Sequence, residues 1–257
     1  IFLYLWDIYS AVEIRLITLL FNASTLSFIS KNEVFPQRTP HRSRPRSLRR
    51  RRVSLTVVIP ILSTMGFDVC PLPTAILSNH TQYENFTFLD LTDEMPALID
   101  HWEKLGADFE AIYTGYLGSP RQIRIVADFI ERFRTPDTLV VVDPVLGDNG
   151  RLYNKITDEM VSEMRTLAAR ADVLTPNLTE LFALLNEPFR SECTDDELKA
   201  AITELTSSGP DTVIITGVPV QGKPNLTSVI ARSRTDGRTW KVTCPYLPAH
   251  YPGTGDA

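Results

Sequence analysis

The sequence predicts a doubly wound α/β fold, in which a central, mostly parallel β-sheet carries helices on both faces in a three-layer α/β/α arrangement. Segments with helical spacing of apolar residues alternate with short, continuous apolar runs. Continuous runs are typical of parallel strands buried on both faces, and the alternation favours crossover connections around one sheet. The 257 residues are enough for one such domain with its own hydrophobic core.

The first half of the folded part shows clear helix boundaries. An apolar segment ends before Gly66, a residue that suits the position just after a helix. Ser119 is a good N-cap, and Pro120 fits the first helical turn that follows it. The predicted elements are helix 54–65, strand 69–77, helix 93–105, strand 109–113 and helix 119–133.

The second half continues the alternation. Residues 139–142 form a continuous apolar run, as expected for a buried strand, and Thr194 with Glu197 forms a capping-box pattern. The predicted elements are strand 139–142, helix 157–170, strand 173–174, a helix opened by Asn177, helix 194–207, strand 212–215 and a hairpin over 226–232 and 239–244.

The composition restricts the partners and the compartment. A net charge of −5 argues against nucleic acid as the main partner. The three cysteines, Cys70, Cys193 and Cys244, form neither a CxxC pair nor a zinc-binding spacing. Such a sparse, odd set favours a reducing compartment.

Residues 1–52 differ in character from the rest of the chain. Residues 1–22 are rich in apolar side chains, but three charged residues interrupt them, so we do not expect a membrane span. Residues 36–52 contain eight arginines and three prolines, a composition that cannot bury enough apolar surface to offset its ordering entropy. We therefore predict that 1–52 is disordered or reflects an error in the gene sequence, and that the folded domain spans 53–257.

Polar residues follow the predicted strands, where doubly wound sheets bind their ligands. Asp143 and Asp148 come directly after strand 139–142, and carboxylates are suited to hold magnesium together with water and substrate phosphates. A turn or a helix cap would explain both residues equally well. Asn177 and Glu180 fit a capping box, although Glu180 could instead join the two aspartates in one acidic metal cluster.

Two further segments carry candidate binding groups. In the sequence Gly-Thr-Gly-Asp at 253–256, backbone N–H groups could converge on an anion while Asp256 acts as a general base on an alcohol. An ordinary turn is the alternative. Residues 78–81, Ser-Asn-His-Thr, could recognise a polar heterocycle or could form a plain polar loop.

Taken together, the motifs occur in the order and spacing typical of pyridoxal kinases. They are SNHT at 78–81, TGY at 114–116, DPVLGD at 143–148, TPNxxE at 175–180, DTVIIT at 211–216 and GTGD at 253–256. From about residue 53 to 257 the chain resembles this family, which belongs to the ribokinase-like superfamily. The nearest rival branch is hydroxymethylpyrimidine kinase, because it shares the final motif and much of the sheet.

The resemblance implies a role for each candidate residue. Asp256 would accept the proton of the substrate's hydroxymethyl group. The anion hole would be formed by Gly253, Thr254 and Gly255. The magnesium ion and the ATP phosphates would be surrounded by Asp143, Asp148 and Glu180. The nucleotide would also be contacted by Asn177 and Thr216. The substrate would be contacted by His80, Thr81 and Tyr116.

The implied reaction transfers the γ-phosphoryl group of ATP to the 5′-hydroxyl of pyridoxal, pyridoxine or pyridoxamine in vitamin B6 salvage. This reaction needs Mg²⁺. The resemblance leaves open whether it also needs a monovalent cation. The resemblance also implies a cytoplasmic homodimer that binds small molecules, without nucleic acid or a membrane as partner. Hydroxymethylpyrimidine kinase remains the alternative activity.

The chain departs from the family pattern at both ends. The family has a loop reading roughly D-L-S-G-F-G where this sequence is rich in arginine, just before residue 53. A long helix follows GTGD in the family, whereas only Ala257 follows Asp256 here. We therefore expect a kinase domain that is incomplete at both termini and has little activity, which adds an inactive fragment to the alternatives.

Overall fold

The computed structural model describes residues 55–78 and 87–247. The helices within these residues are α1 (Leu55–Thr64), α2 (Met95–Lys104), α3 (Pro120–Phe133), α4 (Asp158–Ala168), α5 (Leu178–Leu185) and α6 (Asp195–Ser207). The first strands are β1 (Ala75–Leu77), β2 (Phe88–Asp90), β3 (Ala111–Thr114), β4 (Leu139–Val142), β5 (Gly147–Asp148) and β6 (Arg151–Leu152). The remaining strands are β7 (Val173–Leu174), β8 (Thr212–Pro219), β9 (Leu226–Ser233) and β10 (Thr239–Pro245).

Six of the strands form one mixed sheet in the order β3-β4-β7-β8-β9-β10. The pairs from β3 to β8 are parallel, and β9 and β10 add an antiparallel hairpin at the β8 side. The strands β1 and β2 form a separate hairpin, as do β5 and β6. The predicted α/β class with a mostly parallel central sheet is therefore confirmed.

The strand order explains where the helices lie. It advances in one direction from β3 to β8, so right-handed crossovers bring the connecting helices to the same face. Val140 and Val142 are fully buried in a large cluster to which α2 through α6 all contribute. The alternate residues Leu139 and Val141 pack on the other face, in a small cluster with Val173 and its neighbours. Within the described residues these five helices thus lie on one face of the sheet. A helical layer on the other face, which the three-layer prediction includes, is not seen among these residues.

The predicted helix ends are confirmed in detail. After α1 the N–H of Gly66 donates to the Ser63 carbonyl and the N–H of Phe67 to the Leu62 carbonyl, a Schellman arrangement. The Ser119 hydroxyl accepts a hydrogen bond from the backbone of α3. The helices α5 and α6 both begin with complete capping boxes, as the sequence predicts.

The prediction of a strand over 69–77 is wrong for its first part, because the strand begins only at Ala75. Pro71 and Pro73 explain the difference, since proline cannot donate to a strand ladder. The strand 212–215 continues to Pro219 after a register shift. The strand β2 and the hairpin β5–β6 are additional elements. Residues 1–52 lie outside the described part of the chain, so the division at residue 53 stays a prediction.

No helix within 55–78 and 87–247 is long and apolar enough to cross a lipid bilayer. This finding concerns those residues only. The apolar stretch 1–22 lies outside them, so the absence of a span there stays a prediction.

Candidate functional site

The residues that follow the four parallel strands lie side by side at one edge of the sheet, called here the carboxyl edge. The Asp143 N–H donates to the Thr114 carbonyl at 3.1 Å, which joins the ends of β4 and β3. The Thr216 N–H donates to the Pro176 carbonyl at 3.0 Å, and Thr216 forms a parallel bridge with Asn177. The structure therefore brings Asp143, Asn177 and Thr216 to the edge where the sequence predicts a ligand.

The start of α5 holds the loop that follows β4. One oxygen of Glu180 accepts a hydrogen bond from the Leu146 N–H at 3.0 Å, and the other accepts from the Asn177 N–H at 2.9 Å. The Asn177 amide group in turn donates to the Gly147 carbonyl at 2.8 Å. The capping-box residues of α5 thus also hold the predicted metal loop in place. Their interpretation as a helix cap is therefore compatible with a role at the functional site.

Glu180 is nearly inaccessible to solvent, with 3% of its surface exposed. Burial raises the pKa of its carboxyl from the ordinary 4.5 to about 7, although the backbone N–H groups of Asn177, Leu146 and Gly147 oppose the shift. The negative charge of Asp148 contributes a smaller increase. Near neutral pH Glu180 therefore exchanges between a charged and a neutral form.

The hairpin β5–β6 presents the acidic loop through a tight turn. Asn149 and Gly150 have positive φ angles of 52° and 77°, as a two-residue type I′ turn requires. The Gly150 N–H donates to the Thr179 hydroxyl at 2.9 Å, which adds a third link to the start of α5. A Cβ atom on Gly147 would lie 2.8 Å from the Leu152 Cα, so this position excludes larger residues.

The two aspartates of the loop differ in exposure. Asp143 is half-buried at the end of β4, whereas Asp148 is exposed and accepts hydrogen bonds from the backbone and side chain of Asn149. The described ranges contain no group of three or more His, Cys, Asp or Glu side chains placed to hold a metal ion. The metal role of Asp143, Asp148 and Glu180 stays a prediction.

Tyr116 lies in the loop of residues 115–119 that follows β3, and it is half-buried. Burial raises the pKa of its hydroxyl above the ordinary value of 10. The loop leads into α3, where the fully buried Gln122 bonds to the backbone of Gly118. Tyr116 therefore follows β3 at the carboxyl edge, and its predicted contact with substrate stays a prediction.

Sequence reasoning missed two residues that organise this edge, Thr179 and Gln122. Each has a readable signal in hindsight. Thr179 lies inside the TPNxxE motif, and Gln122 stands three positions after Ser119, as a capping-box residue does. Their partners are distant in sequence, however, and only the fold identifies them.

Several predicted site residues lie outside the described part of the chain. They are the substrate candidates His80 and Thr81, the anion-hole residues Gly253, Thr254 and Gly255, and the catalytic candidate Asp256. Their roles stay predictions.

Comparison with known proteins identifies the relatives of this chain. Pyridoxal kinase of Arabidopsis thaliana is 31% identical over 205 residues, which are 76% of this chain and 63% of that protein. The chain thus spans less than two thirds of that relative.

A crystal structure from Bacteroides thetaiotaomicron, of a protein that carries the name phosphomethylpyrimidine kinase and was crystallised with pyridoxal, is 68% identical. It has a TM-score of 0.77 and matches 79% of this chain and 71% of its own. Pyridoxal kinase of Leishmania donovani in complex with ADP and pyridoxamine is 28% identical, with a TM-score of 0.71, and matches 79% and 74% of the two chains.

The family model described as phosphomethylpyrimidine kinase matches residues 76–257, which include the whole carboxyl edge described above. The agreement in fold extends to structures of pyridoxal kinases. The chain therefore belongs to the phosphomethylpyrimidine kinase family, in the branch of the ribokinase-like fold that contains the pyridoxal kinases.

Proposed function

We propose that this protein transfers the γ-phosphoryl group of ATP to the 5′-hydroxyl of pyridoxal, pyridoxine or pyridoxamine. One observation carries the choice of substrate: a structure 68% identical to this chain was crystallised with pyridoxal. The nucleotide is supported by the related kinase that was crystallised with ADP. Because the chain spans only 63% of its Arabidopsis relative, the activity is a proposal for the whole protein.

The arrangement of the carboxyl edge suits phosphoryl transfer. Such a reaction needs little covalent help from the protein and depends on positioning and on neutralising the phosphate charge. The segment 143–148 supplies two carboxylates. The start of α5 fixes residues 146–150 through three side chains, those of Asn177, Thr179 and Glu180. In the proposal Asn177 and Thr216, which bridge β7 and β8, position the nucleotide at the same edge.

The proposed chemistry at the acceptor hydroxyl uses residues near the end of the sequence. Asp256 accepts the proton of the 5′-hydroxyl late in the transfer, since an alcohol holds its proton until its bond to phosphorus is forming. Backbone N–H groups of Gly253, Thr254 and Gly255 stabilise the negative charge on the phosphoryl oxygens. The support for these roles is the sequence motif alone.

Magnesium fits the donor set of this edge. The ion prefers oxygen ligands and usually keeps several waters while it binds one or two carboxylates and substrate phosphates. Asp148 is exposed and Asp143 is half-buried, so these two carboxylates would hold it. When bound, the ion neutralises charge on the ATP phosphates. Both oxygens of Glu180 already accept backbone hydrogen bonds, so its proposed part is to position the loop.

A substrate panel tests the proposal. The purified whole protein is incubated with ATP, Mg²⁺ and each of pyridoxal, pyridoxine, pyridoxamine and hydroxymethylpyrimidine, and binding is measured beside turnover. We expect the B6 vitamers to have the highest kcat/KM. The Asp256→Asn variant should lose turnover by about 10²-fold or more while it keeps vitamer binding.

Two results would contradict the proposal. Preferential phosphorylation of hydroxymethylpyrimidine would favour the alternative kinase, whose support is the name of the matching family. Turnover of the whole protein no greater than that of its Asp256→Asn variant would contradict a kinase activity, whereas low turnover of the 257-residue chain alone would agree with the alternative of an inactive fragment.

We also propose that the protein is a cytoplasmic homodimer. The support is the likeness to pyridoxal kinases. Sedimentation of the purified protein tests the dimer, and a monomer at micromolar concentration would refute it.

A further inference from the structure

The side chain of Gln122 is a buried amide at the junction of three segments. It is 1% exposed, although glutamine is rarely buried unless all of its polar atoms are paired. Its oxygen accepts the Gly118 N–H at 2.7 Å, in the loop that carries Tyr116. Its nitrogen donates to the Thr92 hydroxyl at 2.8 Å and to the Thr74 carbonyl at 3.1 Å. One side chain thus satisfies backbone and side-chain groups from segments up to 48 positions away.

The partners of the Gln122 nitrogen lie at the base of the hairpin β1–β2. Thr74 precedes β1, and its carbonyl also accepts the Leu91 N–H just after β2. The Thr92 hydroxyl donates to the carboxylate of Asp90, and Asp90 is the last residue of β2. A continuous chain of hydrogen bonds therefore runs from Asp90 through Thr92 to Gln122.

At its far end this hairpin continues in sequence into the SNHT motif, which contains predicted substrate contacts. Ser78, the first residue of the SNHT motif, pairs with Thr87 through a backbone bond of 3.0 Å and through its hydroxyl at 2.8 Å. The hairpin is separate from the six-stranded sheet, so the bonds at its base, together with the Lys155 ammonium group 4.7 Å from the centre of the Phe88 ring, set its orientation. The oxygen of the Gln122 amide group bonds to Gly118, which is two positions after Tyr116. The same amide group therefore links both segments that carry predicted substrate contacts.

We propose that Gln122 is a positioning residue for the vitamer, which fixes the hairpin β1–β2 relative to the loop of residues 115–119. The proposal rests on the proposed function for the identity of the ligand. Its structural part is independent of that function, because it concerns the attachment of the hairpin. ATP is positioned by the ends of β4, β7 and β8, so Gln122 affects the vitamer and leaves the nucleotide unaffected.

The first test is the Gln122→Met variant, which keeps the length of the side chain and removes all of its hydrogen bonds. The matched control is Gln221→Met, since Gln221 is exposed in the turn between β8 and β9. Hydrogen exchange should become about tenfold faster for amides of 74–78 and 87–92, with no change in α5 or β8. The KM for pyridoxal should rise by about tenfold, while the KM for ATP stays within about twofold.

A second pair of variants tests the hydrogen-bond chain. Thr92→Val removes the hydroxyl at nearly constant volume, whereas Thr92→Ser retains it. We expect Thr92→Val to behave as Gln122→Met and Thr92→Ser to behave as the unmodified protein. The double variant of Gln122→Met with Thr92→Val should show little more than either change alone, because the two side chains act through one bond.

The outcomes separate this proposal from the proposed function. If hairpin exchange and the pyridoxal KM in Gln122→Met equal those in the Gln221→Met control, Gln122 does not position the hairpin. If exchange accelerates uniformly and both KM values rise together, Gln122 is only a stabilising helix residue and the proposal fails. An unmodified protein that phosphorylates no vitamer refutes the function, while the exchange comparison still decides how the hairpin is attached.

Discussion

The raised pKa of Glu180 predicts an unusual pH dependence of stability. The folded chain binds a proton at Glu180 below pH about 7, whereas the unfolded chain binds it only below the ordinary value of 4.5. Between these values the folded chain holds more protons than the unfolded chain, so the free energy of unfolding decreases as the pH rises. The stabilising contribution is complete below about pH 4.5 and is lost on passing through pH 7.

The size of the effect follows from the two pKa values. Their difference, between 4.5 and about 7, corresponds to about 3 kcal/mol of unfolding free energy. The variant Glu180→Gln is uncharged at every pH, so it lacks this dependence. We therefore expect the stability of the natural protein, relative to Glu180→Gln, to fall by about 3 kcal/mol between pH 4 and pH 8.

Urea denaturation of both proteins at a series of pH values measures this difference, with EDTA present so that no metal alters the site. Glu197→Gln is the matched control, because Glu197 has the same position in the capping box of α6 but is exposed. Hydrogen bonds from Thr194 lower the pKa of Glu197, so its contribution is lost as the pH falls. Parallel stability curves for the natural protein and Glu180→Gln from pH 4 to pH 8 would refute the reasoning.

Three further predictions test the carboxyl edge and the core beneath it. Asn177→Ala should lower the unfolding free energy by about 1–2 kcal/mol and should also reduce pyridoxal phosphorylation. The control Thr194→Ala, at the other capping box, should lower it by about 1 kcal/mol and leave kcat/KM unchanged, so equal effects on activity would contradict the prediction. Gly147→Ala should abolish activity because its Cβ atom would collide with the facing strand. The control Gly237→Ala, in an open turn with a φ of 68°, should lower the unfolding free energy measured in urea by about 1 kcal/mol and leave activity unchanged. Phe182→Ala should lower the unfolding free energy by about 3–5 kcal/mol, since this ring is 1% exposed, and a loss below 1 kcal/mol would show that the ring is not in the core.

The parts of the fold that could be predicted are those specified by neighbouring residues. Ser119 and Pro120 specify the start of α3, and the apolar run 139–142 specifies β4. Their physical causes act within a few positions, as capping and burial periodicity do. The polar residues at strand ends could also be predicted to meet, because the carboxyl ends of parallel strands share one edge of a sheet.

The missed features depend on contacts between distant segments or on competing interpretations. The amide of Gln122 bonds to Thr92, and no local pattern indicates a partner thirty positions earlier. The Asn149-Gly150 pair is a strong hairpin signal, but the neighbouring Asp148 is interpreted from the sequence as a ligand, a turn residue or a cap, and no hairpin is predicted there. The prediction of a strand over 69–77 is wrong in its first part because it rests on the apolar residues of this segment and gives too little weight to its two prolines.

At the carboxyl edge, different side chains hold the loop in place and present negative charge. Glu180 could serve as a charged ligand, yet it is buried and its two oxygens hold the backbone of Leu146 and Asn177. A carboxyl that positions a loop in this way need not be charged, which is consistent with its raised pKa. The exposed charge is carried by Asp148, which the hairpin turn keeps accessible. The edge therefore separates the two tasks: α5 fixes the geometry, and the loop after β4 presents the charge.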